Sequence, residues 1–273
     1  MHPIVQQPLR PVLRPGTHVL TRADGSLQIG IDPRHALRLT PSTRVLATLD
    51  RLGSPAECDG VAADPDLLAL LDRHGLLVAE TQLHRSAAPT RLRVDVRGFG
   101  HAASRLLVEE VRRQLDRAAL SCEGRDDRDG VVGVLCGVGE PDRILADPWT
   151  RDGTAYLLVR LREGHVLLGP FVQPGRTACL RCVDAHLTDL DASWPVLVHQ
   201  YAVASSRDRP DGATEPVDPL LVGLAAAWAA RDLATYVAGR RPATWSTTIR
   251  IEPELAAFET QRWLRHPDCG CSP

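Results

Sequence analysis

The sequence predicts an α/β protein built in two parts, a small α+β domain followed by a larger α/β domain. Three observations support this prediction. The first part of the chain alternates short amphipathic strands with two capped helices. A polar stretch between residues 80 and 90 then indicates a linker. Beyond the linker, continuous apolar runs alternate with segments of helical periodicity, which is typical of a parallel sheet buried between helices.

The first domain begins with short strands and continues with two helices. Residues 11–39 alternate apolar and polar side chains around Asp24-Gly25, a dipeptide whose tolerance of positive φ closes a tight hairpin. Thr40-Pro41 and Asp64-Pro65 each place a capping side chain before a proline, so each predicts a helix start. The apolar residues predicted to face inward on these helices are Val45, Leu46, Leu49, Leu67, Leu68 and Leu71. We therefore expect a winged-helix-like domain of about 80 residues, a usual size for one core.

The larger domain begins with a strand, a tight turn and a helix. Residues 93–96 predict the strand, Gly98-Phe99-Gly100 the turn and residues 102–115 an amphipathic helix. The helix residues predicted to face inward are Leu106, Leu107, Val111 and Leu115. This order of elements is the opening of an α/β domain.

The rest of the larger domain predicts further buried strands and one long helix. Apolar, β-rich runs at residues 131–135 and 156–161 suit parallel strands that are covered on both faces. A helix begins at Asp218-Pro219 and stops at Gly239. The chain then predicts a terminal pair of strands at residues 245–251 and 256–263.

Composition and charge exclude several classes of function. The net charge of −2 leaves no basic surface for nucleic acid. All 32 basic residues are arginine, and asparagine is absent as well. Without lysine the chain has no Walker phosphate loop and no Schiff-base residue. The longest apolar run, residues 220–230, is too short to span a bilayer and Met1-His2-Pro3 opens no signal peptide, so we expect a cytoplasmic protein.

Four of the seven cysteines form two close pairs, which predicts a zinc site. Cys179 and Cys182 are separated by two residues, Cys269 and Cys271 by one, and residues 183–268 lie between the pairs. Zinc accepts four thiolates in closed structural sites, so it would hold the C-terminal tail to the middle of the domain. A redox-active Cys-x-x-Cys pair is the alternative, and the second pair favours zinc. The other cysteines, expected to be small buried hydrophobic residues, are Cys58, Cys122 and Cys136.

The glycine turn at the start of the larger domain has two interpretations. Gly98 and Gly100 precede a helix whose N-terminal N–H groups could hold a phosphate, as in dinucleotide-binding folds. Alternatively, the glycines only permit the tight turn. The pattern alone does not decide between these interpretations, so Gly98 and Gly100 stay candidates for a nucleotide site.

A long segment around the first cysteine pair resembles a known family. Residues 169–182 have the sequence Gly-Pro-Phe-Val-Gln-Pro-Gly-Arg-Thr-Ala-Cys-Leu-Arg-Cys. The further motif residues are Asp184, Asp189, Asp191, Trp194-Pro195, Trp263, His266-Pro267 and Cys269-Gly270-Cys271. Together they resemble ThiF/MoeB-like proteins of the ubiquitin-activating superfamily, of the azoline cyclodehydratase-associated type that binds precursor leader peptides.

The resemblance implies a domain assignment for the whole chain. Residues 91–273 resemble a ThiF-like domain with a Rossmann-type α/β fold and a four-cysteine zinc site. Residues 1–85 are similar in layout to the winged-helix peptide-recognition domain that precedes it in these proteins, although they carry no sharp motif. The resemblance therefore extends over nearly the full sequence, with its specific motifs confined to the second part.

The resemblance also implies a binding role instead of adenylation. Adenylyltransferases of the family hold ATP with a glycine turn, acidic residues, an arginine, an asparagine and a lysine, and of this set only Gly98 and Gly100 remain here. We therefore expect zinc as a structural cofactor, no ATP and no catalytic residue. The expected function is to bind the leader peptide of a ribosomal precursor and present it to a YcaO-type cyclodehydratase in thiazole/oxazole-modified peptide (bacteriocin) biosynthesis.

Two alternative functions stay open. A divergent ATP-dependent adenylyltransferase would activate the C-terminus of a small carrier protein, and pyrophosphate exchange would distinguish it. A zinc-containing dimerisation scaffold is the other alternative, since proteins of this superfamily are commonly homodimers. The apolar helix after Asp218 could contribute to a homodimer interface, with core packing as its other role.

Overall fold

The computed structural model describes residues 10–53, 63–80, 92–120, 130–207, 211 and 216–271. The chain divides into two compact units, Met1–Ala88 and Pro89–Pro273. Each unit has its own buried apolar core among the described residues. Cys58, Cys122 and most of the predicted linker lie outside the described residues.

The first unit combines a three-stranded antiparallel sheet, a two-stranded pair and two helices. Its elements are β1 (Pro11–Leu13), β2 (Val19–Thr21), β3 (Leu27–Ile29), β4 (Leu37–Leu39), α1 (Thr43–Gly53), α2 (Pro65–Arg73) and β5 (Leu77–Ala79). The larger sheet has the order β2-β3-β4, and β1 pairs with β5. Ile29, Leu49 and Leu71 contribute to its core from β3, α1 and α2. The unit mixes strands and helices as expected, and its winged-helix assignment stays a prediction.

The predicted hairpin and the predicted cap of α2 are confirmed. Strands β2 and β3 pair antiparallel on either side of Asp24-Gly25, and Gly25 has a φ of +78°. Asp64 caps α2, because its carboxylate accepts hydrogen bonds from the backbone N–H groups of Asp66 and Leu67. Pro65 occupies the first position of the helix, where its missing N–H costs nothing.

The start and the inward face of α1 differ from the prediction. The helix begins at Thr43, and Ser42 takes the capping role predicted for Thr40 because its hydroxyl accepts the Val45 N–H at 3.2 Å. Leu46, predicted to face inward, is 43% exposed, since the buried stripe of this short helix is narrow. A proline next to a capping residue therefore locates a helix start only to within about two residues.

The second unit is a six-stranded mixed sheet with helices. Its strands are β6 (Leu92–Phe99), β7 (Gly130–Val138), β8 (Tyr156–Arg162), β9 (His165–Val172), β10 (Thr247–Ile251) and β11 (Phe258–Arg262). Its helices are α3 (Ser104–Arg117), α4 (Asp147–Arg151), α5 (Leu180–Leu190), α6 (Trp194–Ser205) and α7 (Pro219–Val237), and a 3₁₀ turn covers Arg143–Ala146. The strand order is β11-β10-β9-β8-β7-β6, in which β6, β7 and β8 are parallel and the other pairs antiparallel.

Buried clusters lie on both faces of this sheet, because alternate side chains of each strand point to opposite sides. On β8, Leu157 packs in a cluster with α3 and α7, whereas Tyr156 packs in a second cluster with Trp149 of α4 and Leu180 of α5. The predicted parallel strands and the terminal strand pair are confirmed. This architecture is mixed α/β and is compatible with the expected Rossmann-type domain.

Two helices of this unit correct the prediction. On α3, Leu106 is 52% exposed instead of inward, since it lies about 100° around the helix from the buried Leu107. Helix α7 continues past the apolar run at 220–230 and ends at Val237. By length and composition α7, alone among the described residues, could cross a membrane. One face of α7 packs in the core of this unit, where the buried Asp232 accepts backbone hydrogen bonds.

Candidate functional site

The four cysteines predicted to bind zinc lie together in the second unit. Cys179 directly precedes α5 and Cys182 lies in the first turn of that helix, so both thiols turn to the same side. The tail after β11 brings Cys269 and Cys271 to these two thiols. The Sγ–Sγ distances are 3.8 Å for Cys179–Cys182, 3.6 Å for Cys179–Cys269 and 3.3 Å for Cys182–Cys271. The fold thus unites two pairs that are far apart in sequence.

The geometry of this cysteine cluster fits a tetrahedral metal ion. All four residues are free thiols, and their separations exceed a disulfide bond of about 2.05 Å. Four sulfurs around zinc at about 2.3 Å are roughly 3.8 Å apart, close to the observed distances. Three of the thiols are buried and Cys271 is half-buried, as in closed structural sites. A metal ion bound to these four cysteines stays a prediction that the donor set and its spacing support.

The thiols of the cluster differ in how readily they lose a proton. A hydrogen bond from the Cys179 thiol lowers the pKa of Cys182 to about 4, with a further contribution from the His266 backbone. The same hydrogen bond, together with burial, raises the pKa of Cys179. Burial raises the pKa of Cys271 to about 11. Zinc binding would therefore displace protons from the thiols whose pKa is raised.

The cysteine-bearing tail is also held to α5 by histidine contacts. His186 Nε2 lies 2.9 Å from the Leu264 carbonyl oxygen, and His266 Nε2 lies 3.0 Å from Asp189 Oδ2. His186 and Asp189 follow Cys182 along α5, so one helix contacts the tail at several points. Asp189 and His266 are motif residues of the family resemblance, and the fold brings them into contact.

A buried charged cluster lies between the end of β7 and α5. Glu140, only 3% exposed, accepts hydrogen bonds from Arg160 at 2.9 Å, Arg162 at 2.7 Å and Arg143 at 3.0 Å. Arg143 also binds both carboxylate oxygens of Asp184 on α5, at 2.7 and 2.8 Å. This cluster was not predicted from the sequence. Its sequence signal is the pair of arginines in the otherwise apolar strand β8.

The single carboxylate of Glu140 compensates an excess of positive charge. Burial raises the pKa of Glu140, but the attraction of Arg160, Arg143 and Arg162 outweighs burial and holds this pKa below its usual value. Burial lowers the pKa of Arg160, and repulsion from Arg162 and Arg143 adds to this effect. Glu140 is therefore ionised in the folded protein and holds three guanidinium groups in place.

The glycine turn is shaped by close backbone packing. Gly100 has a φ of +85°, and a Cβ atom there would lie 2.4 Å from the Val138 carbonyl oxygen. A Cβ atom at Gly98 would lie 2.9 Å from Val108 Cγ2. Both glycines therefore have a packing role, which is the second interpretation of the sequence pattern. This role does not by itself exclude a nucleotide.

Four N–H groups at the start of α3, those of residues 103–106, already have partners within the chain. At the start of α3, the N–H groups of Ser104, Arg105 and Leu106 donate to the carbonyl oxygens of residues 101–103 at 3.0 to 3.2 Å. The Ala103 N–H donates to His101 Nδ1 at 3.2 Å. A helix N-terminus binds anions through unpaired N–H groups, and here those groups are used within the chain.

The end of α6 also lies against the glycine turn. Ser205, the last residue of α6, contacts Gly139, and its carbonyl oxygen lies 3.5 Å from the Cβ position of Gly100. The carbonyl end of a helix carries partial negative charge, which disfavours a phosphate. A cavity of about 520 Å³ with Arg105 and Arg112 in its wall adjoins the turn. The turn thus keeps the shape of a phosphate site next to a cavity, but the N–H groups of residues 103–106 are used within the chain.

Comparison with known proteins finds similarity in structure alone. No protein-family model matches the sequence, and no curated protein matches it. The heterocyclase TruD aligns with a TM-score of 0.66 and 17% identity over 97% of this chain and 43% of its own. A heterocyclase in complex with substrate and cofactor aligns with a TM-score of 0.61 and 16% identity over 96% of this chain and 39% of its own. E. coli MccB with ATP aligns with a TM-score of 0.56 and 11% identity over 96% and 99% of the two chains.

These similarities establish a shared fold. The identities are low, so the likeness concerns architecture and not the conservation of a site. The chain spans less than half the length of the two heterocyclases and nearly the whole length of MccB. The shared fold agrees with the resemblance to ThiF-like proteins, which the motif residues carried independently.

Proposed function

We propose that this chain binds the leader peptide of a ribosomal precursor in the cytoplasm and presents it to a YcaO-type cyclodehydratase, without adenylating a substrate itself. The observation that carries this proposal lies at the glycine turn, where the N–H groups of residues 103–106 at the start of α3 are bonded within the chain. Adenylyl transfer needs cations and oriented donors that neutralise developing charge, and each lost donor costs roughly 10²-fold or more in rate. The absence of lysine and asparagine removes two more of the family's ATP contacts.

The fold comparison supports the peptide-modifying context. Two of the similar structures are heterocyclases, and one of these was determined with its substrate. This chain is similar to less than half of each heterocyclase, and in this proposal a YcaO-type partner supplies the catalytic part. In this proposal the domain at 91–273 is a zinc-containing ThiF-like scaffold, and the domain at 1–85 recognises the peptide.

The β2-β3-β4 sheet has backbone groups that suit an added peptide strand. The Arg22 N–H donates to the Ser26 carbonyl, and hydrogen-bonded pairs alternate along an antiparallel ladder. The backbone of Leu20 therefore faces β3, whereas that of Val19 and Thr21 faces outward. No strand pairs with this outer side of β2 among the described residues. An extended peptide can bind such an edge through main-chain hydrogen bonds.

The opposite edge of the same sheet, β4, offers a second position. The backbone of Gln28 faces β2, so that of Leu27 and Ile29 bonds to β4. The outward backbone groups of β4 are consequently those of Arg38, whose side chain is exposed. The two edges thus define two testable docking positions for the leader, with outward backbone groups at Val19 and Thr21 on β2 and at Arg38 on β4.

Helix α6 supports a protein partner for the second unit. It is apolar around most of its circumference, yet Val198 is its only buried residue. Val196 and Leu197 are 59% and 48% exposed. Exposed apolar surface of this kind commonly marks an interaction site. We assign it to the cyclodehydratase partner, and a homodimer is the other occupant that sedimentation of the isolated chain would detect.

The leader-binding proposal is tested by calorimetry with synthetic leaders of precursors encoded beside this gene. Val19→Pro and Arg38→Pro each remove one outward N–H and no bond to β3. Edge strands tolerate proline at such positions. We expect the variant at the occupied edge to bind about tenfold more weakly, since proline removes a hydrogen bond and obstructs the added strand. The other variant is the matched control and binds like the parent protein. Failure of the parent protein to bind any such leader would contradict the proposal.

The adenylyltransferase alternative keeps one observation in its favour. The cavity of about 520 Å³ beside the turn has Arg105 and Arg112 in its wall, and MccB, which shares the fold, was determined with ATP. ATP binding and ATP–pyrophosphate exchange are measured on the zinc-replete protein with any small carrier or precursor encoded nearby. We expect neither activity. Robust exchange would mean that arginines supply the missing cations, and the adenylyltransferase would replace our proposal.

A further inference from the structure

A second group of metal-ligand side chains lies beside the cysteine cluster. His186, Asp189 and His266 each offer one ligand atom, and these atoms lie within 4.8 Å of one another. His186 and Asp189 are one helical turn apart on α5, and His186 follows Cys182 by another turn. His266 comes from the tail, three residues before Cys269. The same helix and the same tail thus build both groups.

We propose that His186, Asp189 and His266 form a second transition-metal site, distinct from the four-cysteine site and specific for zinc-like divalent ions. Two imidazoles and one carboxylate are a donor set that zinc accepts. This donor set is harder than four thiolates, so it also suits cobalt and nickel. The inference is independent of the leader-binding function.

The orientation of His186 is suited to metal binding. A carbonyl oxygen only accepts hydrogen bonds, so the contact of 2.9 Å with the Leu264 oxygen fixes the His186 proton on Nε2. The lone pair of Nδ1 is then available. Metal-binding histidines commonly donate their other N–H to a carbonyl or carboxylate in this way, which fixes the tautomer and the ring orientation.

A metal ion fits between His266 and Asp189 in place of the proton that the two side chains share. Its nitrogen and oxygen are 3.0 Å apart, whereas two ligands about 2.0 to 2.1 Å from zinc lie roughly 3.3 Å apart at a tetrahedral angle. A shift of a few tenths of an ångström therefore admits the ion. The displaced proton moves from Nε2 to Nδ1 of the same ring. Nδ1 then gives up the hydrogen bond that it accepts from the Asp268 N–H at 3.2 Å and donates to the Asp268 carboxylate, 4.0 Å away, after that side chain rotates. The count of protons on His266 is unchanged.

The exposure of this second site differs from that of the cysteine cluster. The His266 side chain is 7% exposed, whereas that of Asp189 is 64% exposed. Three protein ligands with one side open to solvent leave a coordination position for water. We expect an exchangeable ion that ties the tail to α5, next to a closed zinc site that does not exchange.

The test is a metal titration of tag-free protein stripped of metal. The parent protein should bind two equivalents of Co²⁺. Co²⁺ bound to four thiolates gives intense sulfur-to-metal charge-transfer bands, whereas the His–Asp–His site gives only weak visible bands. His186→Ala and Asp189→Asn should each weaken the second equivalent about tenfold or more and leave the charge-transfer bands unchanged, since ligand loss costs at least as much as loss of an outer-shell contact.

His199→Ala is the matched control, because His199 is an exposed histidine on α6 outside the group. This variant should bind two equivalents like the parent protein. Melting temperatures of the variants, measured with one equivalent of zinc, show whether the tail stays folded. Asp189→Asn keeps a hydrogen-bond acceptor for His266 and so separates metal loss from unfolding. A single equivalent in the parent protein, or a second equivalent that survives in both variants, would overturn the proposal.

Discussion

The cysteine cluster and the glycine turn lie in the same unit. They differ in whether the groups predicted to bind a ligand are arranged for binding. In the cysteine cluster, four side chains converge at distances that suit a metal ion. At the glycine turn, the backbone has the expected shape, but its first N–H groups are bonded to the preceding residues. Closely spaced cysteines therefore predict which side chains converge better than glycines predict a phosphate site, because glycine also serves simple packing.

A structural link joins these two regions. Glu140 follows Gly139, which contacts the end of α6 beside the glycine turn. Arg143, which donates to Glu140, also donates to Asp184, two residues after Cys182. One buried ion-pair network therefore lies between the cysteine cluster and the glycine turn. The following variants test how separate the two regions are.

The largest effect is expected when the cysteine cluster loses a ligand. Cys182→Ala and Cys269→Ala should each remove one zinc ion per chain and lower the free energy of unfolding by roughly 5 kcal/mol or more, because a structural zinc ion contributes its binding energy to folding. Zinc content and melting temperature are the measurements. Cys136→Ala is the control, since Cys136 is buried outside the cluster, and it should cost about 1 kcal/mol and keep the zinc. Unchanged zinc content in both cluster variants would contradict the metal site.

The second effect concerns the ion-pair network that joins the regions. Glu140→Gln should lower the free energy of unfolding by roughly 3 to 5 kcal/mol, because it leaves buried arginines without their carboxylate. Urea unfolding measures this loss. Glu259→Gln is the matched control, since the exposed pair of Glu259 with Arg250 contributes less than about 1 kcal/mol. Equal losses in the two variants would show that burial of the network has little energetic weight.

The pH dependence of Glu140 sharpens this test. Its folded-state pKa lies below the ordinary value of 4.5, so its contribution to stability is present above that pH and is lost as pH falls through the lower folded value. The difference in stability between the parent protein and Glu140→Gln should therefore shrink in acid. A difference that stays constant down to the folded pKa would assign the loss to packing and not to charge.

The sequence predicted the elements that depend on local patterns. The cysteine pairs were predictable because ligands that share a metal often lie within a few residues of each other on each side. The hairpin at Asp24-Gly25 and the cap at Asp64 were predictable because turn and cap chemistry is local. The parallel strands followed from continuous apolar runs. The roles of the domains at 1–85 and 91–273 stay predictions, although the fold agrees with them.

The features that escaped prediction depend on contacts between distant residues. Glu140 and Arg160 are 20 residues apart, and Arg143 and Asp184 are 41 apart, so no short window contains either pair. The exposure of Leu106 depends on which face of α3 meets the sheet. The internal pairing of N–H groups at the start of α3 depends on backbone geometry that glycine spacing does not specify. Only the arginines within β8 offered an advance signal, since buried strands rarely carry charge without a partner.

The smallest effect separates the packing role of the glycine turn from a nucleotide role. Gly100→Ala should lower the free energy of unfolding by roughly 2 to 4 kcal/mol, because the new Cβ atom combines backbone strain with a close approach to the Val138 oxygen. Gly153→Ala is the control, since Gly153 has a similar φ of +71° with open space around it, and should cost only about 1 to 2 kcal/mol. Neither variant should change nucleotide binding, which we expect to be absent throughout. If Gly100→Ala instead abolished an ATP affinity present in both the parent protein and Gly153→Ala, the turn would be a working phosphate site, and the contrast with the cysteine cluster would disappear.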